Sequence, residues 1–440
     1  MKTFYFVSLG CPKNRVDTEV AVGSLMAAGY QPVDQPDDAD IIVVNTCSFV
    51  TAARSESVDT LLEMAEFKKG RAQRLVAMGC LGQEAAAELA ASMPEIDHVL
   101  GTGNFDQLPS LLQGGDARPV ASATFLPAHA VPRVLTQSAA FAYLKIGDGC
   151  SRTCAFCTIP MIKGPFASRP IPALLDEATA LVEQGVKELV LVAQDLTQFG
   201  KPGRRNLMQL LDGLEAVDGL EWIRLMYLYP EGITRPLMAR LATGGKVVPY
   251  LDMPVQHISD RVLRTMRRGT TARSIRNIID EIRTMVPDIA LRTTLIVGHP
   301  GEDDAAFAEL VQFVQDSRFD HLGVFSYSRE EGTAAATLPG QVPESIAQER
   351  EATLMEIQRT ISAQKLANLV GQRLKVLVQG PSEDHDWVLV GRTSRQAPEV
   401  DGLVYLDDFD GDEGQFIEVE VLDSTDYDLV ARPLEEGVSL

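Results

Sequence analysis

Three of the six cysteines in this 440-residue chain stand in one tight run, Cys150-Ser-Arg-Thr-Cys154-Ala-Phe-Cys157. A C-x3-C-x2-C spacing lets three thiolates hold one iron–sulfur cluster while a fourth corner keeps no protein ligand. An iron with an open position can bind and activate a small molecule as well as store an electron. Zinc is the rival occupant. A structural zinc takes a fourth protein ligand close by, whereas His129 and His257 lie far off in sequence. The other cysteines, Cys11, Cys47 and Cys80, are scattered, yet each follows a short apolar run.

Those runs indicate what must position them. Thr3 to Leu9, Asp40 to Asn45 and Arg74 to Met78 have the length and composition of buried strands, and His98 to Leu100 of a short fourth. Between them, Val16 to Ala28, Ala52 to Phe67 and Glu84 to Ser92 read as helices. Strands separated by helices predict an open parallel α/β sheet covered on both faces. Ligands of such sheets gather outside the carboxyl ends of the strands. Cys11, Cys47 and Cys80 each fall one or two residues past a strand end, which puts them on one sheet edge. One such cysteine alone would be read as a small buried hydrophobe. Three at the same topological position favour a second cluster site.

A second series follows. Phe141 to Ile146, Glu188 to Ala193, Trp222 to Leu228, Val247 to Leu251, Ala290 to Val297 and Leu322 to Ser326 read as strands, with helices such as Pro172 to Glu183 and Ser274 to Met285 between them. This predicts a partial (βα)6 barrel with its site at the carboxyl ends of the strands. The cysteine run follows the first of them. Glu344 to Leu369 is an amphipathic helix expected to pack on the barrel. Beyond Gly371, short strands at 374–378, 387–390, 403–405 and 416–421 are separated by glycine and acidic turns, as in a small antiparallel β-barrel. The domains expected are 1–115, a Pro-, Ala- and Gly-rich linker at 116–138, then 139–370 and 371–440.

The formal net charge is −21. Residues 371–440 alone carry five Lys and Arg against seventeen Asp and Glu. Net charge alone is read first as serving solubility; a surface like that of the C-terminal part would also repel a nucleic-acid backbone and attract a basic protein. No apolar run is long enough to span a bilayer. The opening Met1 to Gly10 reads as a strand rather than a leader. Together with the cysteine run, this suits a reducing cytoplasm.

Gly149-Cys150-Ser-Arg-Thr-Cys154-Ala-Phe-Cys157-Thr-Ile-Pro160 resembles the radical S-adenosylmethionine (SAM) superfamily. The resemblance implies a four-iron four-sulfur (4Fe-4S) cluster whose open iron chelates SAM, with one-electron cleavage releasing a 5′-deoxyadenosyl radical. It implies SAM contacts at Phe156, near the adenine, and at the strand ends: Gln194 and Asp195, Gln256 beside His257, and Arg292 ahead of the glycine turn at 298–301. Core packing is the alternative for Phe156. A satisfied loop histidine is the expectation for His257 and His299.

The order of the whole chain resembles the methylthiotransferases, whose C-terminal module is called TRAM. In that family, Cys11, Cys47 and Cys80 would hold a second 4Fe-4S cluster that supplies or anchors the inserted sulfur. No departure from the six-cysteine pattern is visible. Ser8-Leu-Gly-Cys11-Pro-Lys-Asn14-Arg-Val-Asp17-Thr-Glu19 and Tyr250 to Arg261 resemble the branch that modifies an aspartate of ribosomal protein S-twelve. The implied reaction is methylthiolation of an unactivated aspartate β-carbon, which no general base could deprotonate, so a cofactor carries the hard step. Its implied partners are a basic ribosomal protein and an electron donor such as flavodoxin or ferredoxin. A tRNA methylthiotransferase shares all six cysteines, but tRNA is disfavoured by the acidic C-terminal module. The alternative of another class is a non-catalytic iron–sulfur redox or binding protein, which the barrel repeats argue against.

Overall fold

The computed structural model describes residues 2–103, 105–114, 126–127, 131–200, 206–383 and 387–434. Its first sheet is built around Ile41–Thr46, a strand buried at every position, as expected of an apolar run covered on both faces. Five parallel strands run in the order Gln31–Pro32, Thr3–Ser8, Ile41–Thr46, Arg74–Gly79, His98–Leu100. The register sets Ser8 beside Asn45, and Asn45 beside Met78. Three strands therefore end flush, and the cysteines emerge along one edge.

Two helix starts lie four residues ahead of the sequence expectation. The helix after Cys11 begins at Pro12, not Val16, because proline is tolerated at the first helical position where its missing N–H has no partner to lose. The third helix begins at Cys80 rather than Glu84 and is broken at Ala85, whose φ of −125° interrupts the periodicity. The edge strand Gln31–Pro32 has only two exposed residues, so it leaves no pattern to read.

The second sheet is open, with six parallel strands in chain order: Phe141–Lys145, Glu188–Val192, Trp222–Leu225, Val247–Asp252, Ala290–Val297 and His321–Ser326. Helices cover its outer face. Ala272–Met285, for instance, buries Ile275, Ile279 and Ile282, one helical stripe, and the Thr271 side chain caps it by accepting from the Ser274 N–H at 3.2 Å. The third strand stops short of the apolar run because Tyr227 takes a left-handed φ of +61°. The helix Glu344–Ala367 lays Leu354 and Ile361 on this core.

The expected linker falls partly outside the described residues. Its described end is no loose tether. Arg133 is buried between Glu19 at 2.6 Å and Glu177 at 2.7 Å, and so staples the first helix to the barrel. Gly23 makes room for it, since a Cβ there would sit 2.5 Å from the Pro132 carbonyl oxygen.

The C-terminal module is a closed barrel of five strands, Arg373–Pro381, Leu389–Arg392, Val404–Leu406, Leu429–Pro433 and Phe416–Ser424. It is not wholly antiparallel: Val404–Leu406 and Leu429–Pro433 pair in parallel, and the latter strand lies beyond those expected from sequence. Residues 393–401 pack on the six-stranded sheet: Arg224 donates to the Ser394 carbonyl at 2.7 Å, and Ala397 joins the cluster of Phe141, Tyr143 and Tyr250. Glu188, fully buried, receives Arg224 at 2.6 Å and Arg392 at 2.6 Å, one from each domain. Burial alone would raise the Glu188 carboxyl, but the two guanidiniums outweigh it and hold it below its usual range. Among the described residues no helix is long and apolar enough to cross a membrane.

Replacing Glu188 by Ala would leave Arg224 and Arg392 facing each other without a carboxylate. We expect a loss of about 3–5 kcal/mol in urea denaturation, the usual cost of stranding a buried charge. A change under about 1 kcal/mol would mean that the triad does not hold the two domains together.

Candidate functional site

The N-terminal cysteines are drawn together by one asparagine. Asn14, in the first helix, donates from Nδ2 to the Leu9 carbonyl at 3.2 Å and the Thr46 carbonyl at 3.0 Å, and its Oδ1 lies 3.7 Å from Cys80 Sγ. It therefore touches all three strand ends. Asn45 answers by donating to the Asn14 carbonyl at 2.9 Å. Gly10, at φ +90°, lets the Cys11 loop close on Cys47: a Cβ there would be 3.1 Å from Cys47 Sγ. Ser57 fixes the Cys47 backbone from both sides, at 2.9 and 2.8 Å. Burial raises the Cys47 thiol and pushes Cys80 up to about 12.

The second set sits at the end of the first barrel strand. Cys150 follows Gly149, whose φ is +77° and where a Cβ would collide with the Pro165 carbonyl oxygen, so no side chain fits. Cys150 Sγ accepts from the Arg152 N–H and from Gln198 Nε2, both at 3.4 Å. Cys154 Sγ accepts from Arg268 Nη1 at 3.5 Å. Burial pushes Cys157 up to about 12.

The two sets are neighbours. Thr158, next to Cys157, donates to the Phe49 carbonyl, two residues past Cys47, at 3.1 Å. Glu330, in the turn after the last barrel strand, accepts the Thr51 N–H at 2.8 Å and so caps the helix Thr51–Glu66 from another domain. Behind them lie four buried charges. Asp17, from the first helix, pairs with Lys145 and, at 3.7 Å, with Lys163; Asp148 lies 3.3 Å from Lys145 and 3.1 Å from Lys163. Burial opposes the charge on Lys163, but Asp148, Cys80 and Asp17 outweigh it, and its pKa is raised. Sequence reasoning does not single out these four as site residues. The available signal is a lysine closing the apolar run Phe141-Ala-Tyr-Leu-Lys145, and a lysine six residues after the last cysteine.

The other expected residues fall into two groups. Gln194 and Gln256 each present a buried Oε1 with no partner among the described residues. Gln194 holds Asp148 through Nε2 at 2.6 Å, and Gln256 is forced to φ +73°. Asp195, Phe156 and Arg292 are committed elsewhere. Asp195 pairs with Arg152 at 2.9 Å and caps the turn at Thr197. Phe156 packs against Val262, Met266 and Ala306, the core alternative. Arg292 lies 3.4 Å from both Asp252 and Asp401. His257 and His299 are buried, His257 beside Glu302 at 3.3 Å.

Among the described residues no three Cys, His, Asp or Glu side chains close on one point, as ligands of a single ion would. A 4Fe-4S cluster asks for thiolates on separate irons. Two sets of three thiols, with N–H donors to sulfur at one set, fit that requirement. The orphaned glutamine oxygens fit an amine donor such as that of SAM.

Comparison with known proteins agrees with the three-part chain. Residues 3–101 match the model of "Uncharacterized protein family UPF0004", residues 144–314 the Radical SAM superfamily and residues 370–434 the TRAM domain. A ribosomal protein uS12 methylthiotransferase RimO from Anaeromyxobacter sp. (strain K) is 46% identical over 433 residues, covering 97% of this chain and 92% of the relative. The protein of that name from Trichlorobacter lovleyi is 45% identical over 438 residues, covering 98% of each chain. The chain belongs to the RimO methylthiotransferase family. Members are radical SAM enzymes that use 4Fe-4S clusters, and so is this one. Solved structures agree on the fold: the radical SAM methyltransferase TsrM of Kitasatospora setae superposes with TM-score 0.55 at 14% identity over 74% of this chain and 73% of that one. The cobalamin-dependent SAM radical enzyme OxsB gives 0.52 at 14% identity, covering 82% of this chain and 58% of its own.

On the expectation that each cysteine set holds iron, Gly10→Ala should displace Cys47 and lower the total iron, leaving the share of the Cys150 set in place. Iron analysis of the anaerobically assembled protein would read this; iron content equal to the parent's would refute the close approach.

Proposed function

We propose that this enzyme installs a methylthio group on the β-carbon of an aspartate in ribosomal protein uS12. In this reading Cys150, Cys154 and Cys157 hold one 4Fe-4S cluster, and Cys11, Cys47 and Cys80 hold a second. The carrying observation is the adjacency of the two cysteine sets, joined by the Thr158–Phe49 hydrogen bond. A redox carrier needs no such pair, whereas transfer of a group between two centres does. When bound, the clusters and SAM supply the radical chemistry and the methylthio group. The chain's own residues hold them. Gln194 and Gln256 offer acceptors to the SAM amine, and Arg268 and Gln198 donate to cysteine sulfur. Phe156, packed on Val262, Met266 and Ala306, sits between Cys154 and Cys157 in the run. An electron donor of the flavodoxin or ferredoxin type and a cytoplasmic setting complete the proposal.

The substrate reading is supported by the names of the relatives and by charge. Asp407, Asp408, Asp410 and Asp412 are exposed on the C-terminal barrel. Of these four, Asp407 alone is ion-paired among the described residues, to Arg432 at 2.6 Å. A basic ribosomal protein would be steered to this surface and tRNA repelled.

Replacing Cys11, Cys47 and Cys80 together by Ala should about halve iron and sulfide, from roughly eight of each per chain for two such clusters. The variant should still release 5′-deoxyadenosine under reduction and form no methylthio product. Loss of all the iron, or of none, would sink the two-cluster assignment.

Charge reversal of Asp407, Asp408, Asp410 and Asp412 should slow association with uS12 more than it speeds dissociation, and should flatten the salt dependence of binding. Stopped-flow binding at two ionic strengths measures this. Modification of tRNA but not of uS12 by the parent enzyme would overturn the substrate.

A further inference from the structure

An aspartate substrate brings a carboxylate into a place already crowded with thiolates, and a partly buried anion needs a cation or the site rejects it. The cations around the two cysteine sets are nearly all taken. Lys145 and Lys163 are held by Asp17 and Asp148. Arg152 belongs to Asp195, and Arg292 to Asp252 and Asp401. Arg15 pairs with Glu399, and Arg268 donates to the Pro254 carbonyl at 2.6 Å.

Lys13 is different. No carboxylate or carbonyl hydrogen-bonds its ammonium among the described residues. It rests instead over the ring of Tyr227, 3.9 Å from the centroid. This places a cation two residues after Cys11, on the seam between the first helix and the barrel.

The ring beneath it is held at a cost. Tyr227 is a non-glycine residue at φ +61°, a conformation that persists only where surrounding contacts enforce it. Two contacts do so: its N–H donates to Asp252 Oδ2 at 3.0 Å and its carbonyl accepts the Leu196 N–H at 3.0 Å. The strained turn, the ring and the uncommitted ammonium form one unit.

We propose that Lys13, seated on Tyr227, receives the carboxylate of the substrate aspartate and so selects aspartate at the target position. The inference rests on the proposed function and adds the residue that reads the side chain. A lysine that merely balanced the thiolates would govern iron retention. One that receives a carboxylate governs the choice between Asp and Asn.

The test uses the full-length, cluster-loaded enzyme and two forms of ribosomal protein uS12, one with the target Asp and one with Asn in its place. Binding and turnover are measured for the parent, Lys13→Met and Lys13→Arg, with iron and sulfide content. The parent should favour Asp over Asn by about 10- to 100-fold, the span of one charged hydrogen bond. Lys13→Met should lose most of that preference by weakening the Asp form alone, with iron content equal to the parent's. Lys13→Arg, which keeps the charge, should recover a part of it. If Lys13→Met loses iron, or weakens both forms equally, the proposal is overturned, and Lys13→Arg with full iron and no Asp preference would overturn it as well. Failure of the parent to modify uS12 at all would instead remove the substrate reading on which it stands.

Discussion

The site depends on four charges that have no water to neutralise them. Asp17 comes from the first helix, Lys145 and Asp148 from the end of the first barrel strand, and Lys163 from the turn of helix after Cys157. A buried ion is tolerated only where its partners are in place, and removing one leaves another stranded. The four therefore make sense only when the two sheets stand at one fixed relation. All four are within six residues of a cysteine: Asp17 of Cys11, Lys145 and Asp148 of Cys150, Lys163 of Cys157. Fixing the charges fixes the spacing of the sulfurs. An apolar seam of the same area would slide more readily, because the hydrophobic effect has no direction.

Much of this is open to sequence reasoning and some is not. The cysteines are legible because each follows an apolar run, and in a parallel sheet the end of a strand has a known meaning. The buried Ile41–Thr46 and the stripe of Ile275, Ile279 and Ile282 speak through their period alone. The charge lattice is not legible, because Asp17 and Lys145 are 128 residues apart and nothing local marks either as buried. Lys13 and Tyr227 are hidden for the same reason. The parallel pair in the C-terminal barrel escapes because Leu429–Pro433 is short, and its partner Val404–Leu406 has only three residues. Of the expected SAM contacts, the glutamines keep a free oxygen, while Asp195, Phe156 and Arg292 have tasks that only the folded chain reveals.

The C-terminal module is bound to the barrel by polar groups as much as by apolar ones. Tyr143 and Tyr250 reach across to Glu399 at 2.9 Å and Asp401 at 2.7 Å, beside the Glu188 triad. Directional contacts of this kind fix an orientation, so the module's acidic outer face is carried at a set angle to the cysteines. The acidic face and the two cysteine sets thereby share one frame.

The cap that Glu330 places on the helix at Thr51 spans 279 residues of chain. A ribosome adds about 5–20 residues per second. Roughly 15 to 55 seconds therefore pass between the synthesis of Thr51 and that of the carboxylate that settles it. Through that interval the segment after Cys47 exists without its clamp, while Cys11, Cys47 and Cys80 have all left the peptidyl-transferase centre. Nascent N-terminal sheet and finished protein thus differ in how the chain after Cys47 is held. The helix start after Cys47 therefore takes its final form only once the last barrel strand has been made.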